Sequence, residues 1–157
     1  MHLYLVQHGE ALSSDEDAGR PLSEKGALNT HRVGAYLYRE NKLVIPEILH
    51  SGKERAAQTA ELLAGNLQTF FVAAAPDLKP NDDPELWLER LEARTNDLML
   101  VGHLPHLQKL AGLLLSGDSA ADPAQFINSC VICLYRDEET AWRLQWIVTP
   151  DTVIDPT

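Results

Sequence analysis

Apolar and polar positions along this chain change period several times, and each change marks an element. Leu3-Tyr4-Leu5-Val6 is an unbroken apolar run inside residues 2–7, the pattern of a strand buried on both faces. Residues 47–50 and 70–74 read as short strands, and residues 97–102 as a buried one. Between them the period lengthens to that of a helix. Ser23 is placed to cap a helix running to about residue 40, with Gly26, Thr30, Val33 and Leu37 as its inner stripe. A second helix is predicted over residues 53–64 from Ala56, Ala60 and Leu63. Asp83-Pro84-Glu85 combines a capping carboxylate, a proline at the first helical position and an acid in the first turn. It therefore starts a third helix, which carries Trp87, Leu88 and Leu91. Pro105 opens a fourth, with Leu107, Leu110, Ala111 and Leu114 inward. Residues 130–135 and 141–148 read as a hairpin. Trp142, Leu144, Trp146 and Val148 alternate with polar residues there, so one face is expected to be wet.

Strands that alternate with helices define an α/β class with a largely parallel sheet. The expected architecture is a three-layer α/β/α sandwich, a mostly parallel central sheet with helices on both faces and a C-terminal hairpin. The 157 residues show no repeat, low-complexity block or long linker, which predicts one domain over residues 1–157. A domain of that size buries roughly 70% of its unfolded surface and folds without metal or disulfide. Cys130 and Cys133 form a C-x-x-C, but residues three apart on a strand face opposite ways, so two packed thiols are expected.

The formal net charge of −10 argues against nucleic acid or an anionic membrane as the main partner. A phosphorylated ligand would bind only where a local cationic pocket overrides that field. The first apolar run ends at Gln7, too short for a signal-peptide core, and no run approaches the ~20 residues of a membrane span. A cytoplasmic location is expected. The acidic loop over residues 11–20 is expected to be solvated and mobile beside the site.

Three strand ends share a feature. Gln7-His8-Gly9, Ser51 to Arg55 and Gly102-His103 each lie where a strand gives way to a loop or helix. Open parallel sheets bind ligands outside the carboxyl ends of their strands. Two of these ends set a histidine beside a glycine; the third sets Arg55 in the first turn of a helix, where amide dipoles and a guanidinium attract anions. Two histidines and an arginine so placed point to phosphate chemistry. His103 and His106, with His8 as a third, are spaced like metal ligands. Pro105 interrupts the helix that would align them and no acid or cysteine accompanies them, so neither metal nor other cofactor is expected.

These residues also carry a resemblance. Leu5-Val6-Gln7-His8-Gly9-Glu10 is similar to the Arg-His-Gly signature of the histidine phosphatase superfamily, with Gln7 in place of the arginine. Arg20-Pro21-Leu22-Ser23-x-x-Gly26 resembles the family's Arg-Pro-Leu-Thr/Ser-x-x-Gly element. Ser51-Gly52-x-x-Arg55-Ala56-x-Gln58-Thr59-Ala60 resembles its Ser-Pro-x-x-Arg-Ala-x-Gln-Thr-Ala, with Gly52 for proline. Leu100-Val101-Gly102-His103 resembles the setting of its second histidine. Order and spacing are those of the short, SixA-like phosphohistidine phosphatase branch, and the match spans about residues 1–115.

The resemblance implies a phosphoglycerate-mutase-like fold and a metal-independent phosphatase. His8 would attack phosphorus to form a phosphohistidine, which water then hydrolyses. Gln7, Arg20 and Arg55 would line the phosphoryl site, and His103 would donate to its oxygens as charge develops. The ligand would be a phosphate-bearing small molecule or a phosphohistidine protein. Asp82, Asp83 and Glu85 are the candidate general acids in sequence order, although Asp83 reads more simply as a helix cap. Imidazole, with a pKa near 6.5, leaves more easily than an alcohol, so a phosphohistidine substrate needs a separate acid least. Gln7 brings no charge, an expected loss of roughly ten-fold in phosphate affinity or rate; Lys53 is a candidate substitute cation, although it reads more simply as a solvated helix-start residue. Like charge should disfavour both imidazolium forms, with activity falling in acid as His8 protonates and in base as His103 loses its proton.

Overall fold

The computed structural model describes residues 1–156. Its elements follow the predicted alternation: β1 (His2–Gln7), α1 (Glu24–Asn41), β2 (Val44–His50), α2 (Glu54–Asn66), β3 (Gln68–Ala74), α3 (Glu85–Glu92), β4 (Leu98–Gly102), α4 (His106–Ser116), β5 (Val131–Arg136) and β6 (Trp142–Val148). They form one six-stranded sheet in the order β3-β2-β4-β1-β5-β6. The four strands from β3 to β1 run parallel, and β5 and β6 pair antiparallel. The sheet is mostly parallel, as expected.

Alternation along the central strands divides the core in two. Leu3, Leu5, Leu98, Leu100, Ile132 and Leu134 face α3 and α4, whose Trp87, Leu91, Leu107 and Leu110 cover them. Tyr4, Val6, Met99, Val101, Val131 and Cys133 face α1 and α2, under Val33, Leu37, Ala60 and Leu63. Burial on both faces is why the sequence of β1 and β4 is continuously apolar. Cys130 lies in the first cluster and Cys133 in the second, both as free buried thiols. The chain moves outward through α1 and α2 to β3 and then turns back through α3 to β4. Crossovers of one hand place outgoing and returning helices on opposite faces.

Local signals resolve as the residues dictate. Ser23 Oγ accepts the Gly26 N–H at 3.0 Å and caps α1. Asp83 Oδ1 accepts the Glu85 N–H at 3.0 Å before α3. Three expectations change. The loop over residues 11–20 is tied across its base: Ala11 bridges Leu22, and the Leu12 N–H donates to the Pro21 carbonyl at 2.8 Å. β2 and β3 each begin earlier than their apolar cores, at Val44 and Gln68. In β6 the even-numbered residues do not share one face. A register shift sets Trp146 opposite Cys133 but Leu144 opposite Leu134, leaving Gln145 as the extra residue of a bulge. One inserted residue flips all that follows, so Trp142 packs on the α3/α4 side and Trp146 on the α1/α2 side.

Among the described residues, no helix is long and apolar enough to cross a membrane.

Candidate active site

The strand order brings three carboxyl ends side by side. β4 lies between β2 and β1, so His103 emerges between Ser51 and His8. The His8 N–H continues the ladder, donating to the Gly102 carbonyl at 3.1 Å. Two further contacts hold the strand exit: Asn128 Nδ2 donates to the His8 carbonyl at 2.9 Å, and the Ser129 N–H donates to the Gln7 carbonyl at 3.0 Å. Gly9 donates its N–H to Thr59 Oγ1 at 3.0 Å, and that hydroxyl donates to the Arg55 carbonyl at 2.7 Å. The two halves of the site are thus joined through one threonine.

The rings of His8 and His103 lie 4.9 Å apart between centroids, tilted by 53°. His8 Nδ1 is 2.7 Å from the Gly9 carbonyl oxygen. A carbonyl only accepts, so Nδ1 carries the hydrogen and Nε2 keeps its lone pair. His103 is buried, and its Nε2 lies 2.6 Å from Ser51 Oγ. Arg20 reaches the site from the tied loop. Its backbone is left-handed, with φ +48°, and its Nε donates to the Leu12 carbonyl at 3.1 Å. Arg55 stands in the first turn of α2. Arg55 Nε, Gln7 Oε1 and His103 Nδ1 are buried atoms without hydrogen-bond partners among the described residues.

Burial lowers the pKa of His8, opposed by the Gly9 carbonyl and reinforced by the Arg55 and Arg20 charges. Burial also pushes His103 down to about 3, with His8, Arg55, Lys53 and His106 adding to the effect. Arg55 is lowered by burial and by the neighbouring Arg20. Both imidazoles are therefore neutral near pH 7, and the positive field comes from Arg20, Arg55 and Lys53. Disfavoured imidazolium forms were expected from like charge; desolvation is the larger cause. An alkaline loss of a His103 proton has no basis in this geometry, because that proton is absent well below neutrality. His103 can still donate as a neutral N–H.

Four of the sequence-predicted residues, His8, Arg20, Arg55 and His103, converge here, with Gln7 half-buried beside them. Asp83 and Glu85 do not join them. Both are exposed at the start of α3, and no carboxylate is among the groups that shift His8 or His103. Asp82 binds the Lys79 N–H and acts instead on the buried His106, opposing the burial that lowers it. Among the described residues, no three His, Cys, Asp or Glu side chains are grouped to hold a metal. Ser51, Thr59 and Asn128 are contributors that had no predicted role. Thr59 follows Arg55 by one helical turn, a spacing that signals the contact; Asn128 carries no local signal.

The fold agrees with known proteins. Residues 3–79 match the histidine phosphatase superfamily, branch 1. No curated protein sequence matches. Among solved structures, the protein histidine phosphatase SixA complexed with tungstate is 27% identical, with a TM-score of 0.85, covering 98% of this chain and 100% of that one. SixA from Agrobacterium tumefaciens is 24% identical, with a TM-score of 0.74 over 95% of this chain and 97% of that chain. The alpha-ribazole phosphatase of Shigella flexneri is 15% identical, with a TM-score of 0.77 over 96% and 97%. The last two likenesses are of fold alone.

Proposed function

We propose that this chain, whose residues 3–79 match the histidine phosphatase superfamily, hydrolyses phosphohistidine, or a small phosphoramidate or phosphomonoester, through a phosphohistidine on His8. The observation that carries this reading is the fixed tautomer of His8. Its Nδ1 hydrogen is committed to the Gly9 carbonyl, so Nε2 is an unprotonated nucleophile near pH 7. Nε2 attacks phosphorus as the P–N bond to the leaving group breaks, and a substrate imidazole already protonated at its other ring nitrogen departs as neutral imidazole. Water then attacks the phosphohistidine, releasing inorganic phosphate and restoring His8. Arg20 and Arg55 hold the equatorial oxygens, and an N–H of His103 donates to them as negative charge grows. Binding a dianion beside two depressed imidazoles favours their protonated forms, so occupied and empty sites differ in proton content.

The SixA structure that matches 98% of this chain holds tungstate, an oxyanion, which supports a phosphoryl site of this kind. Gln7 favours a second reading, a phosphate or phosphoprotein binder without turnover, because an amide at that position brings no charge. One experiment separates the two. Single-turnover kinetics with a phosphoramidate, an aryl phosphate and a phosphohistidine protein should show phosphate release and an acid-labile phosphoenzyme in wild type. Both should vanish in His8→Ala while the fold persists. Retained turnover in His8→Ala would end the nucleophile assignment, and inert wild type that still binds oxyanion would leave the binder.

A further inference from the structure

Resting on that reading of the site, we propose that Lys53 is a phosphoryl-binding residue whose ammonium completes the anion pocket of Arg20 and Arg55 and supplies the charge that Gln7 lacks. The local backbone delivers it there. Beyond β2 the chain reverses at Gly52, with φ +87°, a conformation that strains any side chain, and Lys53 follows at the N-cap of α2. The Lys53 N–H lies 3.3 Å from Ser51 Oγ, and that oxygen lies 2.6 Å from His103 Nε2. Two hydrogen bonds therefore separate the Lys53 backbone from the imidazole, a gap that its four-carbon stem can span.

Lys53 does not behave as a solvated helix-start lysine. It is only partly exposed, and among the described residues it forms no ion pair, although Glu54 is its neighbour. Lys25, by contrast, is exposed and lies 3.8 Å from Glu10. The charge of Lys53 instead bears on His103. Elsewhere in the site, Gln7 Oε1 and Arg55 Nε are buried without partners among the described residues. With both imidazoles neutral, a phosphoryl dianion meets only the fixed charges of the pocket, so a third cation changes its binding directly. An ammonium on a flexible stem suits this task, because it contacts an oxyanion as a point charge and needs no fixed fork geometry.

The test is calorimetric titration of the full chain with tungstate. Lys53→Met should weaken binding by roughly ten-fold, the difference between a charged and a neutral hydrogen bond. Lys53→Arg should retain most of the affinity, which guards against a folding defect in the methionine variant. Gln7→Arg placed in the Lys53→Met background should restore binding, since either residue can supply the missing charge. Proton titration followed by NMR should show His103 gaining its proton at higher pH in Lys53→Met; a purely helix-starting role would leave it unmoved. Equal tungstate affinity in wild type and Lys53→Met, or failure of Gln7→Arg to rescue, would overturn the role of Lys53 alone. A wild type that binds no tungstate would instead sink the phosphoryl site, and this proposal with it.

Discussion

Replacing Ser51 by alanine tests whether the orientation of His103 is built or incidental. Ser51 and His103 are both buried, and among the described residues the only partner of the His103 ring is Ser51 Oγ at 2.6 Å. Removing Oγ leaves a buried imidazole with neither nitrogen satisfied, a cost of about 1–3 kcal/mol. The Lys53 N–H loses only a long 3.3 Å contact, which adds little. For a domain of this size, 1 kcal/mol corresponds to roughly 2–4 °C, so melting should fall by about 2–12 °C. Activity should fall further than stability suggests. Deleting an oxyanion donor outright costs ~10²–10³ in kcat, and a donor that remains but is no longer aimed should lose part of that, about ten-fold. Calorimetric melting and kcat with a phosphoramidate, measured together, check both numbers. A Ser51→Ala protein with wild-type kcat and unchanged melting would show that His103 needs no positioning by Ser51.

Three further outcomes follow from the structure. His103 holds its proton in the unfolded chain up to a pKa near 6.5 but only to about 3 when folded, so the unfolded state binds more protons between those values. The resulting stability is complete above pH ~6.5 and is lost as pH falls toward 3; chemical denaturation of His103→Asn should show a flatter pH dependence across that window, and an identical slope would refute the assignment. Since the His8 pKa is also lowered, the acid limb of kcat/KM should lie below 6.5, with no alkaline limb from His103. In α1, a Cβ added to Gly26 would sit 2.0 Å from the Glu10 carbonyl oxygen, whereas one added to Gly65 in α2 meets nothing within 4 Å. Gly26→Ala should therefore destabilise by about 1–3 kcal/mol and loosen the loop beside His8, while Gly65→Ala should gain up to ~1 kcal/mol; equal melting shifts would contradict the contact.

What could be read ahead of the structure follows from how far each signal reaches along the chain. β1 and β4 are buried on both faces, so burial alone writes their sequence, and their ends carry His8 and His103 into view. The Ser23 cap and the α1 stripe are equally local, because donor, acceptor and apolar face lie within one or two turns. The bulge in β6 is different: the residue that flips Trp142 away from Trp146 is Gln145, which differs from its neighbours in no local pattern and is extra only relative to β5. The same holds inside the site. Asp83 combines cap chemistry with the right order for an acid, and only the packing of α3 decides that its carboxylate serves the Glu85 N–H, far from any influence on His8 or His103. Ser51 gains its role from strand order, since β4 had to insert between β2 and β1 before a serine could meet a histidine 52 positions away. Residues whose role is set by their own strand or turn were legible, and those whose role is set by a partner strand were not. His103 shows both cases at once. Its place at a strand end was visible, whereas its protonation depends on burial beneath groups from three elements. The chemistry of the site therefore turns on the least local information in the chain: a nucleophile can be named from its motif, but whether its partner arrives as an acid or as a neutral donor is decided by packing.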